Sequence, residues 1–127
     1  MVEREAVLKA HSSRNGKYEI VGKVPLLTMD DLATYYTPGV AYVSEEIKAE
    51  REKVYEYTTK SNTLAIISDG TRILGLGDVG PEAGLPVMEG KSILFKKFGG
   101  VNAVPICLGT KDEEEIIASV LDFVVYS

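Results

Sequence analysis

The stretch "RILGLGDVGPEAGLPVMEGKS", residues 72–92, decides how this chain is read. It carries two overlapping phosphate-binding signatures. Gly75, Gly77 and Gly80 spell G-x-G-x-x-G, and Gly90-Lys91-Ser92 ends like a P-loop. A dinucleotide fingerprint needs a strand before it, a helix immediately after it, and an acidic residue about 20 positions on for the ribose. Residues 73–76 offer a short strand. Pro81 and Pro86, however, predict a loop where the helix should begin, and residues 95–101 contain no Asp or Glu. A P-loop needs four residues between its first glycine and Gly-Lys-Ser. Here Gly84 and Gly90 are separated by five, and Glu89 puts a carboxylate beside the phosphate cradle. Neither signature meets its own requirements, so the glycines read as a turn for close backbone packing. Arg72, Asp78, Glu82, Glu89 and Lys91 cluster among the same loops and helix starts. That composition suits either a small-anion site helped by a helix N-terminus or a solvated surface loop.

Outward from this stretch, the residues alternate between strand and helix patterns. Residues 64–67 (Leu-Ala-Ile-Ile) form a buried-strand run, closed by the turn Ser68-Asp69-Gly70-Thr71. Pro86 suits the first turn of a helix carried by residues 87–98. Residues 101–108 are another apolar strand. Thr110 and Glu113 form a capping box opening a helix with Ile116, Ile117, Val120, Leu121 and Val124 on one face. Toward the N-terminus, residues 2–11 read as a short helix and 17–24 as an edge strand. Thr28 and Asp31 make a capping box for a helix to about Tyr36. Pro38 breaks the chain after it, and a further helix runs from about Gly39 to Arg51. The order predicts a right-handed parallel crossover and an α/β domain: three layers, α/β/α, around a mostly parallel sheet.

Composition narrows the function. The chain has 127 residues, 45% apolar and 26% charged, which suits one domain with a real core. A net charge of −5 without a basic stripe argues against nucleic acid and anionic membranes. No run is long and apolar enough to span a bilayer. Cys107 is the only cysteine, in keeping with a reducing, cytoplasmic setting, and its apolar strand makes it a buried small hydrophobe rather than a nucleophile. His11 is the only histidine, which argues against a His-rich metal site or a Ser-His-Asp triad within this chain.

Three blocks are more specific than any of these patterns: "YTPGVA" at residues 36–41, "SDGTRILGLGDVGPEAGLPVMEGK" at 68–91 and "LFKKFGGVNAVPICL" at 94–108. In this order they resemble the malic enzyme family, most of all its short prokaryotic and archaeal members. The resemblance implies oxidation of malate with NAD or NADP and a divalent metal, Mg2+ or Mn2+, followed by decarboxylation to pyruvate. It also implies that the Gly-rich block belongs to an N-terminal substrate domain, and that the dinucleotide fingerprint and the carboxylate metal ligands lie in a later Rossmann domain. On this basis residues 1–127 are expected to be a truncated N-terminal domain, with no cofactor-binding or metal residues of their own and no turnover alone.

The resemblance assigns roles to three residues. Tyr36 corresponds to the family's general acid, which protonates the enol of pyruvate. The chemistry asks for a positioned O–H that stays protonated at neutral pH; a plain aromatic anchor at a helix end is the bland alternative. Lys91 corresponds to the general base toward the malate hydroxyl. Read as lying at a helix start, it has the positive helix end to disfavour its charge; otherwise it is a surface lysine. Arg72 corresponds to an arginine that binds substrate carboxylate, for which a guanidinium fork is well shaped; its alternative is a salt bridge to Asp69 or Asp78. Asp78 is expected to tie the loop through backbone N–H groups. Lys96 and Lys97 match no catalytic position. The expected partners are malate and pyruvate as small molecules and a second copy in a homodimer. A non-catalytic dimerisation module derived from the same family is the rival reading.

Overall fold

A computed structural model describes residues 1–123 of the chain. The chain divides into two units: Met1–Tyr18 with the chain from Asn62 onward, and Glu19–Ser61.

The first unit is built on two parallel strands. β1 (Thr63–Ser68) and β2 (Asn102–Cys107) are β-branched and apolar runs, and they pair from Thr63 with Asn102 to Ser68 with Cys107. The Leu108 N–H donates to the Ser68 carbonyl at 2.8 Å and extends the ladder by one bond. Between the strands runs α5 (Gly80–Leu94), which packs on both of them. This strand–helix–strand crossover with a parallel pair bears out the α/β class. α1 (Arg4–Ser12) and α6 (Glu113–Asp122) complete the unit's α-helices. Its core is small: Ile73, Met88 and Ala103 are its buried apolar side chains among the described residues.

The turn after β1 locks the start of α5. The Ser68 hydroxyl accepts from the Gly70 N–H at 3.1 Å, and Asp69 Oδ1 accepts from the Thr71 N–H and hydroxyl at 3.0 and 2.7 Å. Gly70 has φ +75°, and a Cβ there would lie 2.0 Å from the Gly80 carbonyl oxygen. Only glycine fits, because both the left-handed backbone and the close approach exclude a side chain.

Several sequence expectations are corrected here. Residues 73–76 are not a strand. Ile73 bridges back to Gly77, and Leu74–Leu76 is a 3-10 turn, since so short a run between glycines closes on itself rather than joining the sheet. Residues 17–24 also form no strand. The helix does follow the Gly-rich block directly: α5 begins at Gly80 with Pro81 in its first turn, so Pro86 lies inside the helix. Pro81 satisfies the first-turn preference that the sequence reading gave to Pro86. After Leu94 the chain continues as a π-turn, Phe95–Gly99, ended by Gly100 at φ 67°. The N-cap of α6 is Asp112, not Thr110. Its carboxylate accepts from the Glu115 N–H at 2.9 Å, while the Thr110 hydroxyl accepts from the Asp112 N–H at 3.1 Å. Val124, expected on the apolar face of α6, lies outside the described residues.

The second unit is helical. α2 (Met29–Tyr35) opens with the expected capping box: Asp31 N–H donates to the Thr28 hydroxyl at 3.1 Å, and Asp31 Oδ2 accepts from the Thr28 N–H at 3.0 Å. α3 (Val40–Ala49) packs on α2 and is followed by a 3-10 turn and the single-turn α4 (Val54–Tyr57).

Candidate functional site

Tyr36 stands at the corner between α2 and α3. Its N–H donates to the Leu32 carbonyl at 2.9 Å, and its own carbonyl accepts from the Val40 N–H at 2.8 Å. The corner is closed by Gly39, whose N–H donates to the Ala33 carbonyl at 2.7 Å; a Cβ at Gly39 would come within 2.5 Å of that oxygen. The Thr37–Pro38 peptide is cis. The backbone of Tyr36 is thus held on both sides while its side chain is 64% exposed. Among the described residues its hydroxyl has no hydrogen-bond partner.

Arg72 and Lys91 belong to the other unit. Arg72 follows the Asp69–Thr71 turn directly, ahead of the buried Ile73 that anchors the loop. It forms no salt bridge to Asp69 or Asp78. Asp69 is engaged by Thr71, whose hydroxyl and then N–H hold its carboxyl below the usual range. Asp78 is engaged by Lys111 through its Oδ2, and its Oδ1 accepts from the Gly80 N–H at 3.3 Å, the loop-tying role expected of it. Arg72 is exposed and has no polar partner among the described residues. A guanidinium in that state can grip a carboxylate with two parallel hydrogen bonds.

Lys91 lies in the last turn of α5, which corrects its expected place at a helix start. The positive end of the helix is at Gly80, about three turns away. The reason is again Pro81, which moves the helix start back and leaves Lys91 at the far end. Lys91 lines an open groove with Leu94, Phe95, Phe98 and Gly99. It too has no polar partner among the described residues. Arg72 therefore lies in the loop ahead of α5 and Lys91 in the last turn of that helix. Lys96 donates to Asn102 Oδ1 at 2.9 Å, and Lys97 is exposed.

Cys107 ends β2 half-buried, and burial, followed by the charge of Glu82, pushes its thiol up from the usual value. That disfavours the thiolate and agrees with a packing role. His11 is hydrogen-bonded to the Val7 carbonyl at 2.8 Å within α1. One polar contact was invisible in the sequence: Lys17 Nζ donates to the Pro86 carbonyl at 2.9 Å across a separation of 69 residues. No local spacing signals such a bond.

Comparison with known proteins places this geometry. The model of the malic enzyme N-terminal domain matches residues 15–123. The NAD-dependent malic enzyme of Geobacillus stearothermophilus is 59% identical over 102 residues, which cover 80% of this chain and 21% of that protein. The bifunctional malic/malolactic enzyme of Bacillus subtilis is 49% identical over 117 residues, covering 92% of this chain and 28% of that one. The crystal structure of malic enzyme from Pyrococcus horikoshii superposes with a TM-score of 0.91 at 48% identity, over 96% of this chain and 29% of that chain. The chain thus spans less than a third of the length of these relatives. Tyr36, Arg72 and Lys91 all fall inside the matched range, and the chain belongs to the malic enzyme family, through its N-terminal domain.

Proposed function

We propose that this chain supplies the substrate-handling domain of an enzyme that oxidises and decarboxylates malate to pyruvate with reduction of NAD or NADP. The observation that carries the reading is the family match over residues 15–123, which encloses three polar side chains without partners among the described residues. Arg72 grips a malate carboxylate. Lys91, as the neutral amine, accepts the proton of the malate hydroxyl. After loss of carbon dioxide, the Tyr36 O–H protonates the enol carbon of pyruvate, and its phenolate is then reprotonated from solvent.

The described residues do not fit either of the helper groups the family implies. They bring no three His, Cys, Asp or Glu side chains together to hold Mg2+ or Mn2+. The G-x-G-x-x-G block does not follow a strand directly, because β1 ends at Ser68. In this reading the metal and nicotinamide sites lie in the part of the relatives' length that this chain does not match. The domain works as a homodimer in the cytoplasm, and the single unpaired cysteine agrees with a reducing compartment. No helix among the described residues is long and apolar enough to cross a membrane.

A second reading, a non-catalytic assembly module, is favoured by the exposed apolar side chains of both units, such as Leu27 and Phe98. One assay separates them. The complete enzyme carrying this domain should form pyruvate, carbon dioxide and reduced nicotinamide from malate. A folded, dimeric protein that never does so under any nicotinamide and metal condition supports assembly instead.

A further inference from the structure

The loop that carries Arg72 is closed at two levels. The Ile73 N–H donates to the Gly77 carbonyl at 2.9 Å in an antiparallel bridge, and the Val79 N–H donates to the Gly70 carbonyl at 3.0 Å. Arg72 stands on one arm between these levels and Asp78 on the other, each the residue just outside the Ile73–Gly77 bridge. Residues so placed across an antiparallel pair lie within reach of a long side chain, and opposite charges there attract. A guanidinium and a carboxylate are also well matched in shape. Yet Arg72 has no polar partner among the described residues, and Asp78 is paired elsewhere.

The residue that takes the Asp78 carboxylate is Lys111, from the segment between β2 and α6. Its ammonium donates to Oδ2, while the Gly80 N–H donates to Oδ1 at 3.3 Å. Lys111 is set in place from both sides. The Thr110 hydroxyl before it accepts from the Asp112 N–H at 3.1 Å, and the Asp112 carboxylate after it caps α6 through the Glu115 N–H at 2.9 Å. Asp69, the other carboxylate near Arg72 in the sequence, is engaged by Thr71. The hydroxyl and N–H of Thr71 hold its carboxyl low, and the charge of Lys111 adds to them. The side chains of Lys111 and Asp78 are 61% and 47% exposed, and an ion pair so open to water adds little to stability. Its consequence lies in which cation the carboxylate faces.

We propose that Lys111 is a positioning residue for Arg72: by occupying the Asp78 carboxylate it keeps the arginine unpaired across the loop and open to a carboxylate of malate. The proposal rests on the malate reading above. Lys111 itself touches no substrate and moves no proton.

The test uses steady-state kinetics with malate and thermal melting of the complete enzyme carrying this domain. Lys111→Met frees the Asp78 carboxylate to compete with substrate for Arg72. KM for malate should rise roughly three- to tenfold, with kcat changing less and the melting temperature nearly unmoved. Lys111→Arg keeps a cation on Asp78 and should hold KM near the parent value. Lys111→Met combined with Asp78→Asn should restore the parent KM, because asparagine has no charge to compete and keeps an oxygen for the Gly80 N–H. A merely structural ion pair requires the opposite, a double variant at least as impaired as the single one. A parent-like KM in Lys111→Met overturns the proposal, and so does a double variant that stays impaired. Arg72→Gln tests the reading beneath it and should raise KM by more than Lys111→Met does. If Arg72→Gln raises KM and Lys111→Met does not, the malate reading stands and the proposal falls. If Arg72→Gln leaves KM unchanged, the substrate role of Arg72 falls and the proposal falls with it.

Discussion

At Lys91 a single proton separates two descriptions of the domain. A general base acts on the proton in flight, so its loss falls on the transition state. In the complete enzyme, Lys91→Ala should lower kcat by roughly 10²–10⁴-fold and change KM for malate far less. Lys91→Arg should fail almost as badly, because a guanidinium stays protonated and cannot accept a proton. Lys97→Ala, exposed in the π-turn beyond α5, should be nearly silent. Tyr36→Phe should lose the tautomerisation of enolpyruvate along with turnover. Near-normal kcat in Lys91→Arg, with a loss in Lys97→Ala, would move the base to the other lysine. These residues were legible in the sequence only through the family blocks. Lys91 alone looks like any lysine near a proline, and the position of Pro86 placed it at the wrong end of its helix. Arg72 was legible as a cation but not as an unpaired one. That depended on Lys111, 33 residues beyond Asp78, taking one of the two carboxylates that the alternative reading offered to Arg72. Lys17 carried no signal at all, since its partner is a backbone carbonyl 69 residues away.

Elements were legible where the determinants are local. The Thr28–Asp31 box, the Pro38 break and the two apolar strands depend on neighbours within a few residues, and all three form. Residues 17–24 and 73–76 have strand-like composition but no sheet partner, and partnership is a tertiary fact that composition cannot supply. The turn after β1 offers a test at this scale. Gly70→Ala meets both a left-handed backbone and the Gly80 carbonyl, so it should destabilise by about 3–5 kcal/mol or prevent folding. Gly77→Ala has the same φ of +75° but nothing within 4 Å, so urea unfolding should show only the backbone cost, about 1–2 kcal/mol. Equal effects would mean that the Gly70–Gly80 contact contributes nothing. The cap of α2 gives a pH test. The Leu27 N–H, then the Thr28 hydroxyl and N–H, hold the Asp31 carboxyl below its ordinary value of 3.8. A depressed carboxyl stabilises the fold fully above its unfolded pKa and loses that contribution as pH falls through the folded one. Asp31→Asn should therefore be less stable than the parent chain near neutrality, and the gap should close below about pH 3.8. A gap that stays constant down to acid pH would show that the charge on Asp31 does not matter.

Across the whole molecule, the apolar residues outnumber the places found to bury them. The chain is 45% apolar, yet Ile73, Met88 and Ala103 are the buried apolar side chains among the described residues. In the unit from Glu19 to Ser61, Ile20 and Leu27 are 89% and 88% exposed. In the other unit, Leu94, Phe95 and Phe98 leave an apolar wall beside Lys91, with Phe98 82% exposed. Isolated exposed apolar residues are ordinary, but runs of this kind mark surfaces that other protein covers. A net charge of −5 favours solubility and does nothing to cover them. The purified 127-residue chain should therefore self-associate at micromolar concentration, and light scattering should report a mass of at least a dimer that dissociates on dilution. A closed two-fold pair is the simplest arrangement, because the same patch meets itself. Replacing Leu27 or Phe98 by Glu puts a charge into the patch of each unit in turn. Whichever variant shifts the chain toward monomer identifies the unit that carries the contact. Each substitution removes an exposed side chain and should leave its own unit folded by circular dichroism. A parent chain that stays monomeric across a wide concentration range would mean that these faces are tolerated bare, and the proposed homodimer would then need contacts from outside the matched domain.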